Sequence, residues 1–300
     1  PMQHLECLLH PILPRVGVAA LVGTSDSGKS TLLRSLAMAV AAGSKEFLGF
    51  TMNVYRRRAV YVATEDDEAA ISALMHRQIA ELGTSSADYA TLDFIFETEN
   101  LLEVLDKTLT DAPADLVVID AFADLYTGPM NENNRVRSYL NNYSQLAQKH
   151  QTLFLFLHHT GKRTETLAPS KHNAIGSQGF EAKMRLLIEL RKDPRQGCEH
   201  LRHLCIVKGN YLPPTFKNSS FELLFTEHLN YIPTGNRVPF SALREQTDDD
   251  EALKAQMLQV QELLDAGVSQ RQIAKQLGIP ISTLNNRIRK WKTTDDECPF

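Results

Sequence analysis

Apolar residues fall along this chain in short, dense runs separated by longer stretches of helical spacing. The runs Val16–Val22, Ala59–Ala63, Thr91–Phe96, Leu116–Ile119 and Thr152–Leu157 are brief and almost without polar interruption, as buried strands require. Between them lie Thr31–Val40, Glu68–Leu82, a helical segment near Asn100–Thr110, and Arg135–His150. The last places Val136, Tyr139, Leu140, Tyr143, Leu146 and Ala147 close to helical spacing. Strand and helix alternate, so the pattern predicts an α/β fold with a mostly parallel sheet flanked by helices. Further on, Met184–Leu190 and His203–Val207 read as strands, and Phe221–Phe225 with Asn230–Ile232 as an antiparallel pair at the C-terminal edge.

The pattern then changes. Residues 1–232 form one predicted domain, opened by a Pro-punctuated lead-in over 1–15 that is expected to lie over the ligand. Residues 233–250 are polar, with Pro239 and the run Thr247-Asp248-Asp249-Asp250, and read as a linker. Residues 251–292 are a compact helical pattern, and 293–300 a tail. Within that pattern Glu251–Asp265 is a helix closed by Gly267. Ser269 is placed to cap Gln270–Leu277, and Ser282 to cap Thr283–Trp291. The spacing of Ile273, Ala274, Leu277, Ile279, Leu284 and Ile288 fits a small all-α helix-turn-helix domain.

Candidate chemistry begins at Gly23-Thr24-Ser25-Asp26-Ser27-Gly28-Lys29-Ser30-Thr31, which contains G-x-x-x-x-G-K-S between the first strand and the first helix. Gly23 and Gly28 permit turns closed to residues with a β-carbon, so successive N–H groups can point at one phosphate. Lys29 supplies charge for the β- and γ-phosphates, and the Ser30 hydroxyl is placed to ligand Mg²⁺. These residues predict a nucleoside triphosphate, ATP, bound with Mg²⁺. Asp120, closing the apolar run Leu116–Ile119, is the matching carboxylate for the Mg²⁺ shell.

Glu65 stands at the carboxyl end of the strand Ala59–Ala63, where ligands of open α/β sheets bind, and is the candidate base that polarises the attacking water. The adjoining Asp66 to Glu68 are equally readable as the first turn of a helix, where carboxylates complement the dipole. His158 and His159 close another strand. They admit three readings, namely metal ligands, a core pair, or a sensor of the γ-phosphate; no carboxylate, Cys or His at metal spacing accompanies them. The loop Thr160–Ile175 carries Lys162, Arg163, Lys171 and His172, and reads either as solvated surface or as a mobile basic loop touching a polyanion.

Composition adds limits. At 43% hydrophobic the 300-residue chain can bury a sizeable core, and no apolar run approaches a membrane span. Without an evident signal segment, and with Cys7, Cys198, Cys205 and Cys298 at no metal-ligand spacing, a reducing cytoplasm is the expected location. Net charge is −4, yet residues 266–292 contain Arg271, Lys275, Arg287, Arg289, Lys290 and Lys292 and no acidic residue. That local excess is expected of a phosphate-binding surface, with Arg271, Lys275, Asn285, Arg287, Arg289 and Lys290 as candidate duplex contacts. A small protein-interaction module is the other reading.

The motifs GTSDSGKST, YVATEDDE, LVVID, LFLHH, IGSQGFEAKMR and IVKGNY together resemble the RecA-like P-loop ATPases, within them the RepA-type hexameric helicases and the AAA_25 family. The resemblance covers roughly residues 10–232. It implies that Glu65 is the catalytic base, that Asp120 contacts Mg²⁺, and that the histidine pair, His159 above His158, replaces the polar γ-phosphate sensor. It implies too that Arg185 and Lys208 reach into a neighbouring subunit's nucleotide, so that ATP lies at subunit interfaces of a hexamer with single-stranded DNA in its pore. Asn210 stands where DnaB-type helicases carry an arginine. The helix-turn-helix lies outside this resemblance and binds duplex, which leaves two expectations: a helicase-like motor of a mobile element, or an ATP-controlled DNA-binding regulator or loader.

Overall fold

A computed structural model describes residues 5–161, 164–173, 178–195, 197–244 and 248–295. The chain divides into two compact units, Pro1–Glu245 and Gln246–Phe300. The first runs β1 (Cys7–His10), β2 (Leu13–Pro14), β3 (Gly17–Gly23), α1 (Lys29–Ala42), β4 (Glu46–Phe47), β5 (Phe50–Met52), β6 (Ala59–Ala63), α2 (Glu68–Leu82) and β7 (Leu92–Ile95). It continues with α3 (Leu101–Asp111), β8 (Leu116–Asp120), α4 (Phe122–Leu125), α5 (Asn133–His150), β9 (Leu153–His159), α6 (Gln178–Lys183), β10 (Leu186–Lys192), β11 (Leu201–Gly209), β12 (Ser219–Phe225) and β13 (Tyr231–Pro239).

The main sheet has the order β13-β12-β11-β10-β3-β9-β8-β6-β7. From β10 to β7 every pairing is parallel, whereas β10, β11, β12 and β13 pair antiparallel. The parallel strands are apolar throughout because both faces are covered. Alternate residues divide between two cores: Ala19 and Leu21 of β3, and Leu116 and Val118 of β8, face α1 and α2. Val18, Ala20, Val22, Val117 and Ile119 face α3 and α5 with Phe122, Phe154 and Phe156.

Two expectations need correction. The stretch from Pro233 to Pro239, expected as linker, is the outer strand β13, paired with β12 from Phe225↔Tyr231 to Ser219↔Pro239. An exposed edge strand is polar on its open side and tolerates proline, so its composition resembles a linker's. Residues 5–15 do not lie over the ligand. β1 and β2 join β5 and β4 in a small antiparallel sheet, with Leu8, Leu9, Ile12 and Leu13 in the core. Arg15 pairs with Asp115 at 3.2 Å, and the Tyr211 hydroxyl donates to the Ile12 carbonyl at 2.5 Å. These contacts fix the segment at the amino ends of the parallel strands, opposite the phosphate-binding sequence.

The second unit holds α7 (Asp248–Asp265), α8 (Gln270–Gln276) and α9 (Ile281–Asp295). Its core joins Met257, Val260, Ile273, Ala274, Leu284 and Ile288. Ser269 caps α8 through a capping box with Gln272. The third helix starts at Ile281, with the first backbone bonds running to the Pro280 carbonyl, so Ser282 is inside it rather than its cap. Proline just before the first turn sets φ for the helix and lacks only an N–H the helix would not use.

Phe156, wholly buried on the central strand β9 among Phe122 and Tyr143, tests the packing. Phe156→Ala should cost about 3–5 kcal/mol, read as a lower urea midpoint at unchanged slope.

Candidate nucleotide site

The carboxyl ends of β3, β6, β8 and β9 meet along one edge of the sheet, and most of the expected chemistry gathers there. Residues Gly23–Gly28 leave β3 and turn into α1, whose first residue is Lys29. Gly28 has φ +94°, and a Cβ on it would lie 2.1 Å from the Tyr231 hydroxyl. Glycine is therefore required at Gly28 both by conformation and by space. Lys29 is 4% exposed, and its Nζ donates to the Thr24 carbonyl at 2.6 Å. Burial pushes its pKa down to about 8, and the charges of Asp120, Glu65 and Asp26 only partly oppose that.

Asp120 ends β8 and is 7% exposed. Burial raises its pKa, while hydrogen bonds from Tyr61 and Ser30 act the other way. The Ser30 hydroxyl thus lies against the Asp120 carboxylate, a pair of hard oxygen donors that fits Mg²⁺. Glu65 follows β6 and is exposed; its Oε1 lies 3.8 Å from His159 Nε2. His159 ends β9 in register with Gly23, and its Nδ1 is buried without a hydrogen-bond partner. His158 points into the α3–α5 face instead, packed against Phe122 and Phe180. Strand alternation separates the two histidines. Asp67, not Asp66 or Glu68, caps α2 by accepting from the Ala70 amide at 2.8 Å.

The remaining expected residues lie elsewhere. Arg185 is exposed immediately before β10, beside Gly17. It therefore stands at the amino end of the sheet, about 20 Å from Gly23 by the rise of a seven-residue strand. Lys208, paired in register with Leu187, is at the same end and donates to the Glu181 carbonyl at 2.5 Å. Lys171 is exposed and lies 3.8 Å from Glu181; Lys162 and Arg163 are outside the described residues, as are Ile175, Gly176 and Ser177. The described part of this loop is pinned to β10. Arg191 donates to the Thr164 and Leu167 carbonyls, and Glu189 accepts from the Ser170 amide and Asn173.

Sequence reading missed the buttress. The Tyr231 hydroxyl donates to the Gly28 carbonyl at 2.7 Å, and Arg202 Nε to the Ser27 carbonyl at 3.1 Å. Both come from the antiparallel half of the sheet, and no local motif announces a partner about 200 residues away (231 against 28). Beside the loop is a cavity of about 270 Å³ lined by Thr24, Glu165, Lys192, Asp193, Pro194 and Leu243 among others. In the second unit Arg271, Lys275, Asn285 and Arg289 are exposed, whereas Arg287 is half-buried and donates to Gln256 at 2.7 Å. The Lys290 side chain is outside the described residues.

A buried lysine at a helix N-terminus, a glycine loop and a strand-end carboxylate on a mostly parallel sheet define a P-loop ATPase with a RecA-like core. Residues 1–165 match the AAA domain family AAA_25, and the chain belongs to that family. Residues 259–290 match the winged helix-turn-helix DNA-binding family; among the described residues of this unit there are three helices and no strand that would form a wing. No curated protein sequence matches the chain. Among solved structures, a helicase ATPase domain is similar in fold, with a TM-score of 0.57 at 12% identity over 73% of this chain and 84% of that one. Among the described residues no helix is long and apolar enough to cross a membrane.

Lys29 gives a signed pH dependence. Bound phosphate would raise its pKa, so above about 8 binding takes up a proton and affinity falls as pH rises. Calorimetry in buffers of different ionisation enthalpy should show uptake approaching one proton at about pH 9 and little at about pH 6.5.

Proposed function

We propose that this chain is a DNA-associated ATPase that works as a helicase-like motor of the RepA type, hydrolysing ATP with Mg²⁺ across the interfaces of a ring, a hexamer on the family resemblance. The observation that carries this reading is the division of its candidate residues between two ends of one sheet. Lys29, Ser30, Asp120, Glu65 and His159 gather at the carboxyl end, whereas Arg185 and Lys208 stand together at the amino end. A chain cannot bring both ends to one nucleotide. A second copy, packed head to tail, can.

At the carboxyl end the amides of Gly23–Lys29 and the positive end of α1 hold the phosphates, with Lys29 neutralising the β- and γ-oxygens. Ser30 and Asp120 would hold Mg²⁺, which draws charge from the phosphate oxygens when bound. Glu65, exposed at the strand end, orients and deprotonates the attacking water. His159 contacts the γ-phosphate with Nε2, and Arg185 of the neighbouring copy stabilises charge developing in transfer. Thr24, Lys192 and Pro194 line the space beside the loop for the nucleoside.

Loss of the γ-phosphate is passed on from His159. The next residue, Thr160, donates its amide to the Gly23 carbonyl at 3.0 Å, so the loop that contacts single-stranded DNA begins on the phosphate loop itself. The helix-turn-helix adds a duplex-binding surface through Arg271, Lys275, Asn285 and Arg289. A regulator that uses ATP only to assemble is the competing reading, and it would bind duplex without unwinding it. The reading places the protein in the cytoplasm with DNA.

Glu65→Gln should lower ATP hydrolysis by at least about 100-fold while nucleotide affinity holds, with unwinding of a forked substrate lost in parallel. Site-specific duplex binding with no ATP-dependent unwinding by the parent protein would favour the regulator. Replacing Arg271, Lys275 and Arg289 with alanine should flatten the slope of log affinity against log salt for duplex by about 2–3, leaving basal hydrolysis unchanged.

A further inference from the structure

Strand β6 carries one polar side chain, the phenol of Tyr61, amid alanine and valine. Tyr61 is wholly buried, with its ring 5.5 Å from that of Phe94. Its hydroxyl donates to Asp120 Oδ2 at 2.5 Å and lies 3.3 Å from the Ser30 carbonyl. One oxygen therefore touches both residues assigned to the metal, the carboxylate of one and the main chain of the other. Arg34, four residues after Ser30 and so on the same face of α1, is 1% exposed. Its Nε donates to Gln78 Oε1 at 2.6 Å, and Gln78 in turn donates to Ser35 Oγ at 2.7 Å. These bonds lock α1 to α2, so the first turn of α1 is fixed from behind as well as from the strand.

Packing does not require the Tyr61 hydroxyl, because a phenylalanine ring would fill the same space against Phe94. A buried hydroxyl costs free energy unless it is hydrogen-bonded, so its contacts with Asp120 and Ser30 are its whole contribution. A carboxylate at a strand end turns about its side-chain torsions, and a donor fixed in the core removes that freedom on one oxygen. We propose that Tyr61 is a positioning residue for the metal half of the site, holding the Asp120 carboxylate and the Ser30 turn in one mutual arrangement so that their oxygens are presented together. This rests on the assignment of Mg²⁺ to Ser30 and Asp120.

The test is nucleotide binding rather than turnover. A fluorescent ADP analogue is titrated into the full chain and Tyr61→Phe at a series of Mg²⁺ concentrations and in excess chelator, with thermal unfolding as the check on folding. Tyr61→Phe should raise the Mg²⁺ concentration for half-maximal enhancement of binding about tenfold, with chelator-limited affinity unchanged. Phe94→Leu, which alters the ring's packing only, should leave that midpoint in place. An unchanged midpoint in Tyr61→Phe overturns the proposal, as does an equal shift in Phe94→Leu or an equal loss of affinity in chelator. Parent protein whose binding ignores Mg²⁺ overturns the metal assignment itself, and the proposal with it.

Discussion

A phosphate loop works only while its amides stay open toward one point, and the fold is arranged to hold that conformation. Left alone, Gly23–Gly28 would close on its own carbonyls, as Ser27 and Lys29 already do in bonding the Thr24 carbonyl. Two carbonyls, those of Ser27 and Gly28, are taken by Arg202 and Tyr231 from the antiparallel half of the sheet. β11 to β13 are therefore more than an edge extension. They hold the outer wall of the loop, while β3 and α1 hold the inner one.

The same arrangement explains the charges. Lys29 and Asp120 are both buried, and burial disfavours the charged form of each. Such a pair is expensive for an empty scaffold and suited to one that receives phosphate and a divalent cation. Function and stability pull apart here. The tight hydrophobic layers on either side of the sheet are what allow the edge to carry that strain.

Much of this was legible in the sequence, because buried parallel strands read as apolar runs and the phosphate loop has a spelling fixed by stereochemistry. Glu65, Asp120 and His159 were placed by following each run to its last residue. What failed to show had physical reasons. Tyr231 and Arg202 act across the sheet through bonds to backbone, and Tyr61 sits inside a strand that hydrophobicity alone describes. β13 was mistaken for linker because its open edge is polar, and residues 5–15 gave too short a pattern for two strands to be seen. His158 and His159 could be separated only once alternation along β9 was known to point one inward and the other along the loop edge.

The central claim is that each nucleotide site is shared between two copies of the chain. Mixing two inactive variants tests it most directly. Glu65→Gln removes the base from the carboxyl end, and Arg185→Ala removes the finger from the amino end. Combined in one assembly, they form some interfaces that carry both defects and some that carry neither. Hydrolysis that is negligible for each variant alone and reappears on mixing is the result this account predicts. Hydrolysis by Arg185→Ala equal to that of the parent protein, or mixtures no more active than either variant with both shown to co-assemble, would contradict it.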